Sequence, residues 1–441
     1  MSIISRVRAR TKSLTADEWI ITLVTAGIML PEYAFAVIVC LATIFALVHP
    51  AKRSGMMEQP GFFVALMILP AALLPAIISN NVQGLIYGAV FWIIIMFTLY
   101  ASSIMTKRFL GNILDLILLI SVVASALGIL DRFIIGTTHD GVLRTTSIFV
   151  NANHYGYAIE LFAIIAVGRF LKKKNPIYIV LFFTNLASLV LCDCRTAWAA
   201  IGVAVVMMLL FTSRSWKAIG ITFAAGVVCC AAVLLALPKI SPRFSVEALT
   251  ESYANRFDMW VQSVEWIGEN PIFGYGMSSY EMLAKQCGVR VLKHAHNLPL
   301  NCLLDIGVLG TSLLLGFAFR LVKPMFARKF RNKYNYVSSI MLGTIAATLI
   351  HGLLDVPILG VSTSFIFVMI FSSNAIMRNE TSYGYAMVPA DKQKAAAVTP
   401  VGVGAATGSY YVQSMGVSSI RKLKQGKLYT MSNDSESMPR F

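Results

Sequence analysis

Residues 82–104 read VQGLIYGAVFWIIIMFTLYASSI and contain no charged side chain. A run of this length and composition can cross the hydrocarbon core of a bilayer as one helix. The rest of the chain is similar, because 57% of its 441 residues are hydrophobic, only 13% are charged, and the mean hydropathy is +0.71. A soluble domain carries about a quarter charged residues. The composition therefore excludes a soluble globular protein, a nucleic-acid-binding domain and a disordered chain.

Further apolar runs, bounded by charged residues or by Pro, Gly and Asn, predict about twelve transmembrane helices. Backbone groups inside a bilayer must bond to one another, and the alternating polarity of a membrane barrel is absent. We therefore predict an all-α, polytopic integral membrane protein. Its predicted helices cover roughly residues 15–30, 33–49, 61–79, 82–104, 112–131, 155–171, 176–192, 196–213, 217–237, 297–319, 336–354 and 357–377.

The basic residues predict the orientation of these helices. A net charge of +16 could indicate a polyanionic partner, but its placement follows the membrane. If the N-terminus is cytoplasmic, the predicted cytoplasmic segments hold 28 of the 37 Lys and Arg residues, and each short one obeys the positive-inside rule. Residues 1–12 lead into an apolar run without a processing site, so we expect an uncleaved first anchor. Both termini are predicted to be cytoplasmic.

Two regions stand out from the helices. Residues 238–296 form a predicted extracytoplasmic loop between the ninth and tenth helices, and loops of that length normally carry function. A second outer loop covers 132–154, so we expect the chemistry on the outer face. We predict a transmembrane domain over 1–377 and a cytoplasmic, largely disordered tail over 378–441, which lacks apolar periodicity.

The segment 252–280 contains a predicted amphipathic helix within the long loop. Such a helix can lie flat on the outer membrane surface, with Trp260 and Trp266 at headgroup depth. Its Arg256 then faces the mouth of a cavity. The alternative is a solvated helix in which Arg256 pairs with a neighbouring carboxylate, Glu251 or Asp258.

Arg195 breaks two rules at once. It opens a helix, where a cation opposes the helix dipole, and it lies in a short outer turn, where the orientation rule disfavours basic residues. An anion should offset both costs. The anion is either Asp193 in a salt bridge or a bound ligand, and both alternatives stay open.

Four ionisable residues fall inside or at the ends of predicted spans. Glu160 lies in the sixth predicted helix and Asp305 in the tenth. His351 and Asp355 share one face near the outer end of the eleventh. Such groups usually face a cavity, and structural pairing with one another is the alternative.

His294, His296 and Asn297 come directly before the tenth predicted helix. Two His residues at this spacing can bind metal, but no cluster with standard ligand spacing accompanies them, and the outer loops lack an Asp-x-Asp pair. We predict neither a metal nor a cofactor.

At this point the chain resembles the O-antigen ligase and O-antigen polymerase superfamily of bacterial polytopic membrane glycosyltransferases, over roughly residues 140–360. The most specific likeness is the pattern His-Asn-x9-Gly-x-x-Gly, filled by His296, Asn297, Gly307 and Gly310. Three further elements are similar to the family's: Arg144 with Asn151-Ala152-Asn153-His154, Cys194-Arg195-Thr196-Ala197-Trp198, and Arg256 with Trp260 and Asn270-Pro271-Ile272-Phe273-Gly274-Tyr275-Gly276. Ala152 replaces the family's usual Pro.

The resemblance implies a site in the bacterial inner membrane that faces the periplasm or cell exterior. There a glycan would pass, with inversion, from undecaprenyl pyrophosphate to the hydroxyl of a glycan or lipid-linked saccharide acceptor, among membrane lipids. Guanidinium groups can neutralise the leaving pyrophosphate without a metal, and an imidazole can take the acceptor's proton near neutral pH. We expect Arg195, Arg256 and Arg144 to bind the pyrophosphate and His296 to be the base. We expect Asn297 and Asp305 to orient His296, and Asn153, His154, Glu160, His351 and Asp355 to be further supporting residues.

Two other functions stay open. The resemblance does not separate a surface-polysaccharide polymerase, which we favour, from an O-antigen ligase that uses lipopolysaccharide core or another envelope acceptor. A major-facilitator transporter would also have twelve spans, but its long loop normally lies inside, between spans six and seven. Here that connection is only RFLKKKNP, residues 169–176, and the Gly-x-x-x-Asp-Arg element is missing.

Overall fold

The computed structural model describes residues 14–212 except 137, 140 and 141, then 245–329 and 336–378, with isolated positions at 217, 220 and 224. Within these ranges the chain is helical apart from one short hairpin. The helices are α1 (Ala16–Ala26), α2 (Glu32–Val48), α3 (Pro50–Met57), α4 (Phe62–Ile78), α5 (Val82–Ile104), α6 (Lys107–Leu130), α7 (Ala152–Lys173), α8 (Ile177–Cys192), α9 (Arg195–Thr212), α10 (Val246–Glu269), α11 (Ser279–Cys287), α12 (Leu298–Lys329), α13 (Tyr336–Gly352) and α14 (Val361–Phe371). The hairpin pairs β1 (Thr138–His139) with antiparallel β2 (Val142–Leu143).

The prediction of an all-helical membrane protein is confirmed in its coarser form. Six helical segments of the described chain are long and apolar enough to span a membrane, or seven if α2 and α3, bent by 93°, form one broken span. Three shorter apolar helices, α4, α8 and α13, accompany them. The ninth predicted span, 217–237, apart from its three isolated positions, and the tail from 379 lie outside the described residues. The count of twelve spans stays a prediction.

Local capping explains where several helices begin. The Asn81 side chain accepts a hydrogen bond from the amide of Gly84 at the start of α5, and Thr106 does the same for α6. Asn151 accepts from the amides of Asn153 and His154 at the start of α7. These short polar side chains satisfy amides that a first helical turn leaves unpaired. The cap on α7 also fixes Asn153 at the N-terminal end of that helix.

Helix α7 lies at the centre of the bundle, since 78% of its apolar window is buried, against 28% for α9. Small residues allow the close packing around it. A side chain at Gly168 of α7 would collide with Ile340 of α13, and one at Gly343 of α13 would collide with Met208 of α9. Tyr157 and Thr348 add a hydroxyl contact of 2.7 Å between α7 and α13.

The described part of the long predicted loop, residues 245–296, contains two helices, α10 and α11. Helix α10 ends at Glu269, directly before Asn270 and Pro271. Trp266 is buried against Tyr280 of α11, so its predicted place at headgroup depth is wrong. The exposed apolar stripe of α10 consists instead of Tyr253, Phe257, Val261 and Val264.

Candidate active site

A cavity of about 460 Å³ brings together the three arginines selected from the sequence. Arg144 comes from the loop before α7, Arg195 from the first turn of α9, and Arg256 from α10. The walls also include two carboxylates and one imidazole, those of Asp193, Asp355 and His351. The remaining lining residues are Asn153, Cys194, Thr196, Ala199, Leu249, Tyr253, Ile350, Leu353 and Leu354.

Two of these guanidinium groups meet at one hydroxyl. Arg195 donates from Nη2 to Ser252 Oγ at 2.8 Å, and Arg256 donates from Nη1 to the same oxygen at 2.5 Å. Arg256 also donates from Nε to the carbonyl of Leu354 at 3.0 Å. No carboxylate in the described ranges forms an ion pair with Arg256, so the alternative pairing with Glu251 or Asp258 is not observed.

Arg144 is fixed more firmly than the other two, because it is only 3% exposed. Its Nε donates to the carbonyl of Cys192 at 3.2 Å, and its Nη2 donates to Asn153 Oδ1 at 2.7 Å. Asn153 Nδ2 in turn donates to Asp355 Oδ2. One guanidinium is therefore connected to Asp355 through a single amide side chain.

Asp355 lies beside the imidazole predicted to be the base. His296 Nδ1 is 3.1 Å from Asp355 Oδ1, and His294 Nε2 is 3.6 Å from the same oxygen. The first contact is at ion-pair distance, although no hydrogen bond joins His296 Nδ1 to the oxygen. His296 has a left-handed backbone, with φ of 49°, and its carbonyl accepts from Trp260 Nε1 at 3.4 Å.

These contacts determine the charge states of Asp355 and His294. Burial opposes the ionisation of Asp355, but the neighbouring imidazoles, His296 first, hold the pKa of that carboxyl well below its usual range. Burial lowers the pKa of His294 to about 3, against the opposing attraction of Asp355. At neutral pH we therefore expect an ionised Asp355 beside a neutral His294.

The expected orienters of His296 belong elsewhere. Asn297 caps α12, where its Oδ1 accepts from the amide of Leu300 at 3.0 Å. Asp305 accepts from Asn301 and from both the amide and the hydroxyl of Ser279. Neither side chain hydrogen-bonds to the His296 imidazole within the described chain, and Asp355 takes that position. Asp355 comes 59 residues after His296, so proximity in the sequence does not indicate this contact.

The other supporting candidates divide between the cavity and its surroundings. His351 lines the cavity and contacts Glu160, and both side chains are buried. One further polar atom of each, Glu160 Oε2 and His351 Nε2, has no hydrogen-bond partner in the described part of the chain. His154 receives its helix cap from Asn151, and its ring packs against Gly360. The structure thus brings His351 to the arginines, with Glu160 behind it.

A backbone junction, missed from the sequence, connects two of the quoted motifs. Gly307 interrupts α12 with φ 61° and ψ −173°. The freed carbonyls of Leu304 and Asp305 accept from the amides of Tyr275 and Gly276, at 2.9 and 2.7 Å. The amides of Val308 and Leu309 donate to the carbonyls of Pro271 and Ile272, at 2.8 and 3.1 Å. Paired glycine-rich motifs were the available signal, since glycine permits both left-handed backbone and close approach.

A family model described as O-antigen ligase matches residues 179–315. The match starts within α8 and ends within α12, so it includes Arg195, Arg256 and His296. Arg144 and Asp355 lie outside it. No curated protein matches the sequence.

Proposed function

On the premise that the family match assigns this chain to the O-antigen ligase and polymerase superfamily, we propose an inverting, metal-independent glycosyltransferase. Its donor is a glycan on undecaprenyl pyrophosphate, and its acceptor is a sugar hydroxyl on the outer face of the bacterial inner membrane. The observation that carries the proposal is one cavity with three guanidinium groups, bordered by a carboxylate that contacts His296.

The arginines match the needs of the leaving group. A departing pyrophosphate carries negative charge, which planar guanidinium forks can bind through paired hydrogen bonds. Ser252 Oγ is the point where Arg195 and Arg256 already converge, and diphosphate oxygens can take its place as acceptors. Arg144 contributes charge from a buried, fixed position. Donors positioned before the reaction need no reorganisation as charge develops.

His296 has the geometry of a general base with a positioned ring. Because Nδ1 faces Asp355, Nε2 is the nitrogen left to accept a proton. The acceptor oxygen attacks the anomeric carbon from the side opposite the pyrophosphate, and its proton passes to Nε2. The bond from the anomeric carbon to the pyrophosphate oxygen breaks, and the electron pair leaves with the pyrophosphate. Asp355 then stabilises the imidazolium.

In the proposed topology, twelve spans place both termini in the cytoplasm and residues 238–296 outside. The exposed stripe of α10, from Tyr253 to Val264, suits contact with the outer leaflet, from which the lipid tail enters. We favour a polymerase that extends a lipid-linked saccharide. A ligase that uses lipopolysaccharide core is the second candidate, and the description of the matching family model favours it.

Product analysis tests this function. The purified full-length protein in liposomes receives synthetic lipid-linked oligosaccharide, with EDTA and without ATP or an ion gradient, and mass spectrometry follows the saccharides. A ladder on lipid pyrophosphate identifies a polymerase, and label on lipopolysaccharide core identifies a ligase. With His296→Ala we expect unextended donor to accumulate. Transport without a new glycosidic bond overturns the proposal.

A further inference from the structure

We propose that His294, His296 and Asp355 form a binding site for a divalent transition metal, with Zn²⁺ as the preferred ion. Their three donor atoms, His294 Nε2, His296 Nδ1 and Asp355 Oδ1, lie within 4.8 Å of one another. The two nitrogens are 3.6 and 3.1 Å from the carboxylate oxygen. Ligands about 2.0 Å from a tetrahedral Zn²⁺ lie about 3.3 Å apart, and the two measured distances lie on either side of that value.

The chemistry of the donor set agrees with its spacing. Two imidazoles and one carboxylate, with a fourth position open to water, is a common arrangement in zinc enzymes. His296 Nδ1 has no hydrogen-bond partner in the described chain, so in the tautomer with the proton on Nε2 its lone pair can bind a metal without breaking a hydrogen bond. Spacing along the sequence does not reveal this set, because its third ligand lies 59 residues beyond the second.

Neighbouring groups already hold these ligands in place. Asn153 donates to the second oxygen of Asp355, and Arg144 holds Asn153. Trp260 donates to the backbone carbonyl of His296. Outer contacts of this kind orient metal ligands and strengthen binding. The positive charges of the cavity arginines repel a metal cation, so we expect reversible binding rather than a permanently held ion.

A bound metal has a chemical consequence, which rests on the proposed function. When Zn²⁺ occupies Nδ1 of a neutral imidazole, the ring proton is on Nε2. That nitrogen then cannot accept the proton of the attacking hydroxyl. Asp355, bound to the metal, is also no longer available to stabilise the imidazolium. We therefore expect Zn²⁺ to inhibit glycosyl transfer and EDTA to restore it.

The experiment measures metal binding without donor or acceptor, so its result does not depend on the reaction. The full-length protein in detergent is titrated with Co²⁺ and followed by visible absorption, and Zn²⁺ affinity comes from competition with a chromophoric chelator. We expect intense absorption from one four-coordinate Co²⁺, displaced by Zn²⁺. In His294→Asn we expect the affinity to fall about tenfold or more. The control is His49→Asn, between α2 and α3 and not among the cavity residues, where we expect wild-type affinity.

Two results would overturn the site. The first is a wild-type spectrum with only the weak absorption of six-coordinate Co²⁺, which needs no variant and is independent of variant folding. The second is Zn²⁺ affinity that is equal in wild type, His294→Asn and Asp355→Asn, with all three monodisperse by size-exclusion chromatography. Binding without inhibition leaves the metal site in place and contradicts the role of His296 as base.

Discussion

The junction at Gly307 and the arginine-lined cavity both contain motifs that carry the family resemblance. They are built from different chemical groups, backbone at the junction and side chains at the cavity. At the junction, amides and carbonyls of residues 271–276 pair with the interrupted backbone of α12. At the cavity, side chains from five segments converge, and backbone atoms only support them. We infer that the glycines and the Asn-Pro turn serve the architecture of the protein, whereas the arginines and His296 serve its chemistry.

The same contrast separates two buried carboxylates. Asp305 takes three hydrogen bonds from Ser279 and Asn301 and ties the start of α11 to α12. Asp355 faces His294 and His296 and is held from behind by Asn153. If the comparison holds, variants at the junction lower stability and variants at the cavity lower turnover.

The largest effect is expected from Gly307→Ala. A Cβ there would collide with the carbonyl of Ile272, on a backbone with φ 61° that L side chains rarely adopt. We expect destabilisation of about 3 kcal/mol or more, measured as a lower melting temperature and a lower yield of monodisperse protein. The matched control is Gly316→Ala in the same helix, where nothing lies within 4 Å of the added carbon. Equal melting temperatures for the two variants would remove the architectural role of the junction.

The two carboxylates provide the next test. Asp355→Asn removes the charge that stabilises the imidazolium, so we expect transfer per folded molecule to fall by about 100-fold. Asp305→Asn should show the reverse, with a lower melting temperature and turnover per folded molecule within a few fold of wild type. The measurements are single-turnover rate and thermal unfolding of both variants. Loss of turnover in Asp305→Asn alone, without destabilisation, contradicts the division.

Features that depend on neighbouring residues can be predicted from the sequence, whereas contacts between segments far apart in the sequence cannot. The bounds of α5 agree with the predicted run 82–104, since length, polarity and the Asn81 cap are local properties. The end of α10 before Asn270 is local too. The sequence predicts Trp266 at the membrane surface, but the burial of Trp266 depends on α11, which packs back on α10. The contact between His296 and Asp355 could not be predicted for the same reason, because it joins two segments far apart in the sequence.

The variant Arg195→Lys tests whether transfer needs the paired N–H donors of the guanidinium group or only its positive charge. Lys keeps the positive charge but lacks two parallel N–H donors for a phosphate group. We expect transfer to fall by about 10-fold or more, measured as the initial rate of product formation. The control is Arg132→Lys, since Arg132 is a half-buried residue that does not line the cavity and donates to the carbonyl of Leu143. A near-normal rate in Arg195→Lys would indicate that the cavity only concentrates anionic substrate.

The smallest effect concerns pH. The pKa of His294 is lowered to about 3 in the folded protein, against about 6.5 for an unfolded chain. The unfolded state therefore binds more protons in between, and stability falls as the pH drops below about 6.5. The depressed pKa of Asp355 adds a loss below about pH 4, since its unfolded value is near 3.9.

Thermal unfolding from pH 7 to pH 5 measures this dependence. We expect the melting temperature of the wild type to fall by about 1–3 °C more than that of His294→Gln. His49→Gln should follow the wild type, since His49 lies between α2 and α3 and does not act on His294. Parallel curves for wild type and His294→Gln would mean that His294 is not held neutral.

The most direct measurement determines donor affinity and single-turnover transfer together, in His296→Ala and in Arg256→Ala. We expect His296→Ala to bind the lipid pyrophosphate donor within a few fold of wild type while transfer falls by about 100-fold or more. Arg256→Ala should bind the donor more weakly, because it removes a guanidinium from the pyrophosphate site. Wild-type transfer by His296→Ala, or wild-type donor affinity in Arg256→Ala, would contradict a base beside a cationic leaving-group site.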